Sequence, residues 1–180
     1  MRIKKRIMVF LTAFLMLSYI QVEAAPSAKT LSVTRYQQEK TNWCWAASAK
    51  MLGKYFGKTK TQSQICQYVK GNTNNVGASN REITKAMEYA TGKNSPITGN
   101  LTFTEIKSFI GDKGKPIGMS MAWNSGGGHV LVMKGYTSNQ SVVLVDPAQG
   151  CTGGTYPLYK LINGTSIQSG TGYYDNSWTF

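Results

Sequence analysis

The stretch from Pro116 to Asp146 reads PIGMSMAWNSGGGHVLVMKGYTSNQSVVLVD, and its periodicity sets the fold class. Ile117, Met119 and Met121 alternate along Pro116 to Trp123, the pattern of a half-buried strand. His129 to Tyr136 carries the continuous apolar run Val130, Leu131, Val132 and Met133. Gln140 to Asp146 carries Val142, Val143, Leu144 and Val145, and the turn residues Thr137, Ser138 and Asn139 join the two runs as a hairpin. Further strands are expected over Gly154 to Leu161 and Tyr173 to Phe180.

Upstream the period becomes helical. Thr41 or Asn42 is placed to cap a helix that begins near Cys44, buries Ala47, Met51, Leu52, Tyr55 and Phe56, and stops at Gly57. A second, weaker helix covers about Gln62 to Val69, with Ile65, Cys66 and Val69 inward. Ser79 with Glu82, and Thr102 with Glu105, have the spacing of capping boxes, each followed by an apolar stripe. Helices first and strands later imply an α+β fold. Its cleft would separate a helical half bearing Cys44 from a sheet half bearing His129.

The chain begins as an export signal does. Arg2, Lys4, Lys5 and Arg6 precede the apolar stretch Ile7 to Ile20, and Val22-Glu23-Ala24 supplies small residues for cleavage after Ala24. The apolar stretch is shorter than the ~20 residues that span a bilayer. Residues 1–24 are therefore read as a signal peptide of bacterial type and the mature protein as secreted. Residues 25–35 are a short lead-in, disordered over Ala25 to Thr30, and 36–180 form a single domain.

The 20 Lys and Arg against 8 Asp and Glu give a net charge of +12. Loss of the four signal-region cations and Glu23 leaves +9. Such a surface favours anionic partners. The lysines are scattered and no recognition motif accompanies them, which argues against nucleic acid. An anionic cell-surface polymer, an acidic protein or solubility alone accounts for the charge. No second apolar run suggests a membrane segment after signal removal, and the chain is read as a monomer. Three cysteines in an exported chain form an odd count. With Cys44 held free, Cys66 and Cys151 remain either as one disulfide or as two buried thiols.

The chemistry rests on Cys44, in Asn42-Trp43-Cys44-Trp45-Ala46-Ala47-Ser48, and on His129, the single histidine. A nucleophilic thiol needs a base beside it, and one imidazole allows one such pair. The same count argues against a multi-histidine zinc site, and the reading requires no metal or organic cofactor. A cysteine at a helix start gains from unpaired N–H groups and the helix dipole, which stabilise a thiolate. Glu82 and Glu105 belong to capping boxes. Asp146 lies 17 residues after His129, a length that suits a hairpin returning its far end to the histidine. It could accept the imidazole Nδ1–H, or simply end a strand before Pro147. The oxyanion donors would be the Cys44 N–H and the side chain of Gln38, with Gln37 as the neighbouring alternative. Trp43 and Trp45 either wall the cleft or pack beside the helix start. Ser125 to Gly128 either let a substrate backbone approach or form a turn.

Gln38, Cys44-Trp45-Ala46, a Gly-His pair at a strand start and an acid after a second strand together resemble the papain-like cysteine peptidases. The compact length is similar to their small bacterial branch, the staphopain-like secreted peptidases and the effector proteases of plant pathogens. Asn42-Trp43-Cys44-Trp45-Ala46 is close to the nucleophile motif of the effector-type group. The resemblance covers most of residues 36–150. It implies a helical lobe and a sheet lobe with the active site between them. It also implies Cys44 as nucleophile, His129 as base, Asp146 as orienting residue and Gln38 as oxyanion donor. Two departures stand out. Papain and the staphopains use asparagine where this chain offers Asp146. The Cys44–His129 interval is 85 residues, against roughly 130 to 150 in papain and the cathepsins. The expected function is a secreted cysteine endopeptidase acting on protein or peptide. The alternatives are a cell-wall amidase or transpeptidase with the same triad and a non-catalytic binding module.

Overall fold

The structure is a computed structural model that describes residues 27–180. The expected signal segment, its cleavage point and the first two lead-in residues lie outside the described residues. In chain order the elements are β1 (Lys29–Thr30), α1 (Cys44–Tyr55), α2 (Gln62–Lys70), α3 (Asn80–Thr91) and β2 (Ile97–Thr98). Helix α4 (Phe103–Ile106) follows and runs on as a π-helical turn over Lys107–Asp112. Then come β3 (Ile117–Trp123), β4 (Gly128–Tyr136), β5 (Ser141–Val145), β6 (Gly153–Pro157), α5 (Leu158–Asn163), β7 (Thr165–Ile167) and β8 (Gly170–Trp178).

Helix ends follow the local sequence in three cases. Both expected capping boxes form, with Glu82 accepting from the Ser79 N–H at 2.8 Å and Glu105 from the Thr102 N–H at 2.7 Å. A third, Thr61 with Gln64, starts α2. Gly71 and Gly92 close α2 and α3 in the left-handed region, at φ 72° and 68°. Lys70 also reaches Glu82, at 2.8 Å, and ties the end of α2 to the start of α3. Donation from Lys70 first, and from the Ser79 N–H, holds the Glu82 carboxyl down at about 2.

Helix α1 departs from expectation. Its N-cap is Trp43, which supplies no side-chain bond. The Asn42 amide instead donates to the Asn75 carbonyl at 3.1 Å, and the Thr41 hydroxyl accepts from Asn75 at 2.7 Å. Both expected caps are thus spent on the polar loop between α2 and α3.

The sheet is antiparallel, ordered β2-β8-β3-β4-β5-β6, with β7 added to β8 and β1 to β4. Strand β4 is central, and alternate residues feed two cores. Val130 and Val132 join Trp43, Trp45, Met51, Leu52, Ile65 and Met87 of the helical lobe. Leu131 and Met133 join Met119, Met121, Val142 and Leu144 on the other face, covered by Ile106, Ile110, Leu158 and Leu161. The expected half-buried β3 is buried on both sides. Gly118 faces the helical lobe, where an added Cβ would lie 3.2 Å from Met87 of α3 and 3.4 Å from Leu52 of α1.

Two further expectations are corrected. Gly154 to Leu161 is not one strand: β6 ends at Pro157 and Leu158–Asn163 turns into α5. Short apolar runs leave helix and strand undecided until packing chooses. Within the lead-in, Lys29–Thr30 is ordered as β1. It pairs with Tyr136 and Gly135, in the lane beside β4 that β3 leaves after Ile117 pairs with Met133.

Helices α1 and α3 touch at Gly53, where an added Cβ would lie 2.6 Å from the Ala90 carbonyl oxygen, a backbone atom that cannot swing aside. Gly53→Ala is expected to lower unfolding free energy by ~1–3 kcal/mol, despite alanine's higher helix propensity. Chemical denaturation of the two proteins measures it.

Candidate active site

Cys44 is the first residue of α1 and is part-exposed. Because Trp43 does not cap by its side chain, the first-turn N–H groups keep no side-chain acceptor, and the positive end of the helix lies at the sulfur. One turn on, the Ser48 hydroxyl donates to the Val130 carbonyl at 2.9 Å, with both groups buried. That bond pins α1 to β4 one residue after His129. His129, only 7 % exposed, shares a hydrogen bond with Cys44.

His129 Nε2 lies 2.8 Å from Asp146 Oδ1. Each ring nitrogen makes one in-plane hydrogen bond, so Nδ1 is left for the sulfur. The expected Nδ1–carboxylate bond is therefore corrected to Nε2. Val145 pairs with Val132, which leaves Asp146 about two residue pairs from His129 on the neighbouring strand. The distal nitrogen spans that gap, while the proximal one faces the helix packed over β4.

Asp146 is 1 % exposed and is fixed on several sides. The Ala148 N–H donates to Oδ1 at 2.8 Å. Arg35 donates to the Asp146 and Ala148 carbonyls, each at 2.7 Å, and the Gln38 N–H donates to the Pro147 carbonyl at 2.8 Å. Trp123, the last residue of β3, stacks on the imidazole with centroids 5.7 Å apart and planes 16° from parallel.

Burial pushes the His129 pKa down. The hydrogen bonds to Asp146 and Cys44, with the charges of both, outweigh it and carry the value from 6.5 up to about 9. Burial pushes Asp146 up, and the bond to His129 with its charge, helped by Ser169 and the Ala148 N–H, brings it below its ordinary value. A raised histidine stabilises the fold fully below about pH 6.5 and loses that contribution as pH rises through about 9. The depressed aspartate contributes above its ordinary 3.8 and loses its contribution as pH falls.

Cys44 and His129 line a cleft of about 690 Å³ between the helical and sheet halves, together with Gln38, Trp45 and Gly126 to Gly128. Residues 27–155 match the family of the papain-like cysteine protease AvrRpt2. The chain belongs to this family of papain-like cysteine peptidases. No curated protein matches it significantly in sequence. Among solved structures it is similar to the peptidase domain of Streptococcus ComA, a bifunctional ABC transporter of a quorum-sensing pathway. The TM-score is 0.57 and the identity 15 %, over 82 % of this chain and 98 % of that one. It is also similar to a double-glycine-motif protease from an AMS/PCAT transporter, solved with its leader peptide. There the TM-score is 0.52 and the identity 17 %, over 84 % and 94 % of the two chains. UfSP from C. elegans aligns at a TM-score of 0.54 and 13 % identity, over 91 % of this chain and 36 % of that one. These likenesses agree with the helical and sheet lobes of a papain-like α+β fold.

Within this papain-like frame the four expected residues converge, but Gln38 is engaged. Its Nε2 donates to the Lys40 and Thr41 carbonyls at 3.1 and 2.6 Å. An oxyanion would compete with those carbonyls for the amide hydrogens. Both tryptophans are buried, and their indole N–H groups hold the Asn74 and Val76 carbonyls at 2.9 and 3.2 Å, while Trp45 also lines the cleft. The glycine run forms the turn considered for it, with Gly126 and Gly127 at φ 90° and 76°, and its glycines border the cleft. All three cysteines are free, so the Cys66–Cys151 bridge is not formed. Burial raises both of those thiols. Among the described residues no cluster of three His, Cys, Asp or Glu suits a metal ion. Arg35, Ser48 and Trp123 had no signal in the sequence, because each acts through a partner distant in the chain.

Because the chain holds one histidine, its imidazole resonances need no assignment mutant. An NMR titration is expected to show a midpoint near 9, falling toward 6.5 in Asp146→Asn. A wild-type midpoint at the ordinary value would mean that the imidazole lacks its two partners.

Proposed function

We propose that this cysteine peptidase is an exported endopeptidase that works through Cys44, His129 and Asp146. One observation carries the reading: the chain's single imidazole is bonded to a buried carboxylate and to the one cysteine at an open helix N-terminus. The Cys44 thiolate attacks a peptide carbonyl carbon, and its oxygen becomes an oxyanion. The Cys44 N–H and, after release of one loop carbonyl, the Gln38 amide stabilise that charge. The His129 imidazolium gives its proton to the leaving amine as the C–N bond breaks. The neutral ring then takes a proton from water, which attacks the thioester and frees Cys44. Asp146 keeps the ring in the orientation that presents Nδ1 to sulfur and stabilises its charged form.

Protein or peptide is the substrate class. Export is supported by the basic, apolar and small-residue pattern of residues 1–24. The net charge of +9 that remains after removal of residues 1–24 supports retention near anionic cell-surface polymers. N-terminal sequencing of the protein recovered from culture medium is expected to begin at Ala25.

Hydrolysis of unfolded casein tests the triad. Cys44→Ala is expected to lose ~10⁴-fold or more in rate while melting close to wild type. His129→Ala should be nearly as damaging, and Asp146→Ala about a hundredfold less so. Wild-type kcat/KM should fall as pH rises through about 9, where the imidazolium is lost, and Asp146→Asn should draw that limb toward neutrality. Full casein hydrolysis by Cys44→Ala would refute the proposal.

A further inference from the structure

The cleft differs in charge from the chain that forms it. Among the described residues no Lys or Arg lines it, although the sequence holds 20. Its one acidic lining residue is Asp175 on β8. Asp175 owes its position to a bulge: Ser120 pairs with Asn176 and Met121 with Tyr174, so Asp175 is the extra residue between two regular pairs. Neighbouring side chains of a regular strand point to opposite faces. Here the Asn176 amide donates to Asp175 Oδ2, which the irregular backbone permits.

Among the described residues the carboxylate has no cationic partner. The ion pairs of the described residues join Lys50 to Glu39, Lys70 to Glu82 and His129 to Asp146. An acid left unpaired in so basic a chain, part-exposed in the substrate cleft, offers a charge for a ligand to meet. A second group points the same way. Ser120, opposite Asn176 in the register, also lines the cleft, and its hydroxyl is buried with no partner. Asn176 fixes one carboxylate oxygen and leaves Oδ1 for a donor. An ammonium or guanidinium carries several donors and no acceptor, which suits an acceptor pair of Oδ1 and a hydroxyl.

We infer that Asp175, assisted by Ser120, forms a subsite for a Lys or Arg side chain of the substrate, so that the enzyme selects basic segments of polypeptide. This inference rests on the peptidase reading of the same cleft. The surrounding positive surface sharpens the selection. A cationic segment is repelled elsewhere on the molecule and gains only where the acid is exposed, so the preference should weaken as salt rises.

The test is a set of peptides that vary one position at a time among Lys, Arg, Met and Glu. At one position, Lys or Arg is expected to exceed the similarly shaped Met in kcat/KM by roughly tenfold or more. In Asp175→Asn that ratio should fall to near one, and in Asp175→Lys it should invert toward Glu. The inversion cannot come from loss of folding. No basic preference in the wild type, or one that survives Asp175→Asn, overturns the subsite. Alkylation of Cys44 by iodoacetamide at mildly acidic pH and casein hydrolysis report separately on the peptidase reading. A wild-type enzyme that alkylates and cleaves casein but ignores Lys against Met loses only the subsite. One that does neither loses both.

Discussion

The buried hydrogen bond from Ser48 to the Val130 carbonyl is the constraint on which the site depends. It joins the helix that carries the sulfur to the strand that carries the imidazole. The helical repeat places Ser48 one turn beyond Cys44 on the same side. The strand places His129 next to Val130. That bond, with the shared core of Trp45, Met51, Leu52, Val130 and Val132, holds α1 over β4 so that the thiol meets the ring. The helix approaches so closely because Ala46, Ala47 and Ala49 are small and fully buried. At its far end Gly53 meets the backbone of α3. A larger side chain in that series would lift the helix and lengthen the bond that sets the site.

Electrostatics add to this geometry. Thr41 and Asn42 are good capping residues, yet both bind the loop through Asn75. The first-turn N–H groups of α1 are left without a side-chain acceptor beside Cys44. A capped helix would have spent the Trp45 or Ala46 N–H on the cap, gaining ~1 kcal/mol of helix stability and weakening the positive helix end beside the sulfur. The absence of Lys and Arg from the cleft lining acts in the same sense. A lysine beside the sulfur would compete with the His129 ring for it.

The parts legible in the sequence were those encoded by neighbours in the chain. The capping boxes at Ser79 and Thr102 and the apolar runs of β4 and β5 are local patterns. The pairing of Cys44 with His129 followed from there being a single histidine. What stayed hidden was set by distant partners. Asp146 was found, but the ring nitrogen it binds depends on the stagger between β4 and β5. The role of Ser48 needs the Val130 carbonyl, 82 residues away. The turn of Leu158–Asn163 into a helix depends on the apolar floor that Leu158 and Leu161 meet. The bulge that exposes Asp175 is a property of two paired strands, not of either alone.

The lead-in shows the same principle at the level of the whole site. Its composition suggests disorder. In the fold it is a strap. The Leu31 N–H donates to the Lys134 carbonyl at 2.8 Å, extending the pairing of β1 along β4. Arg35 then grips the Asp146 and Ala148 carbonyls, and the Gln38 backbone grips Pro147. The Gln38 side chain holds the Lys40 and Thr41 carbonyls just before Cys44. These residues thus connect the strand of His129, the turn of Asp146 and the approach to Cys44. Asp146 follows a strand and precedes a proline, and neither fixes its distance from α1. The strap does, because every bond it makes to the 146–148 turn is made from a segment whose next few residues lead into the helix. The orientation of the imidazole is therefore set from both ends, by Ser48 beneath the ring's own strand and by Arg35 behind the carboxylate that holds it.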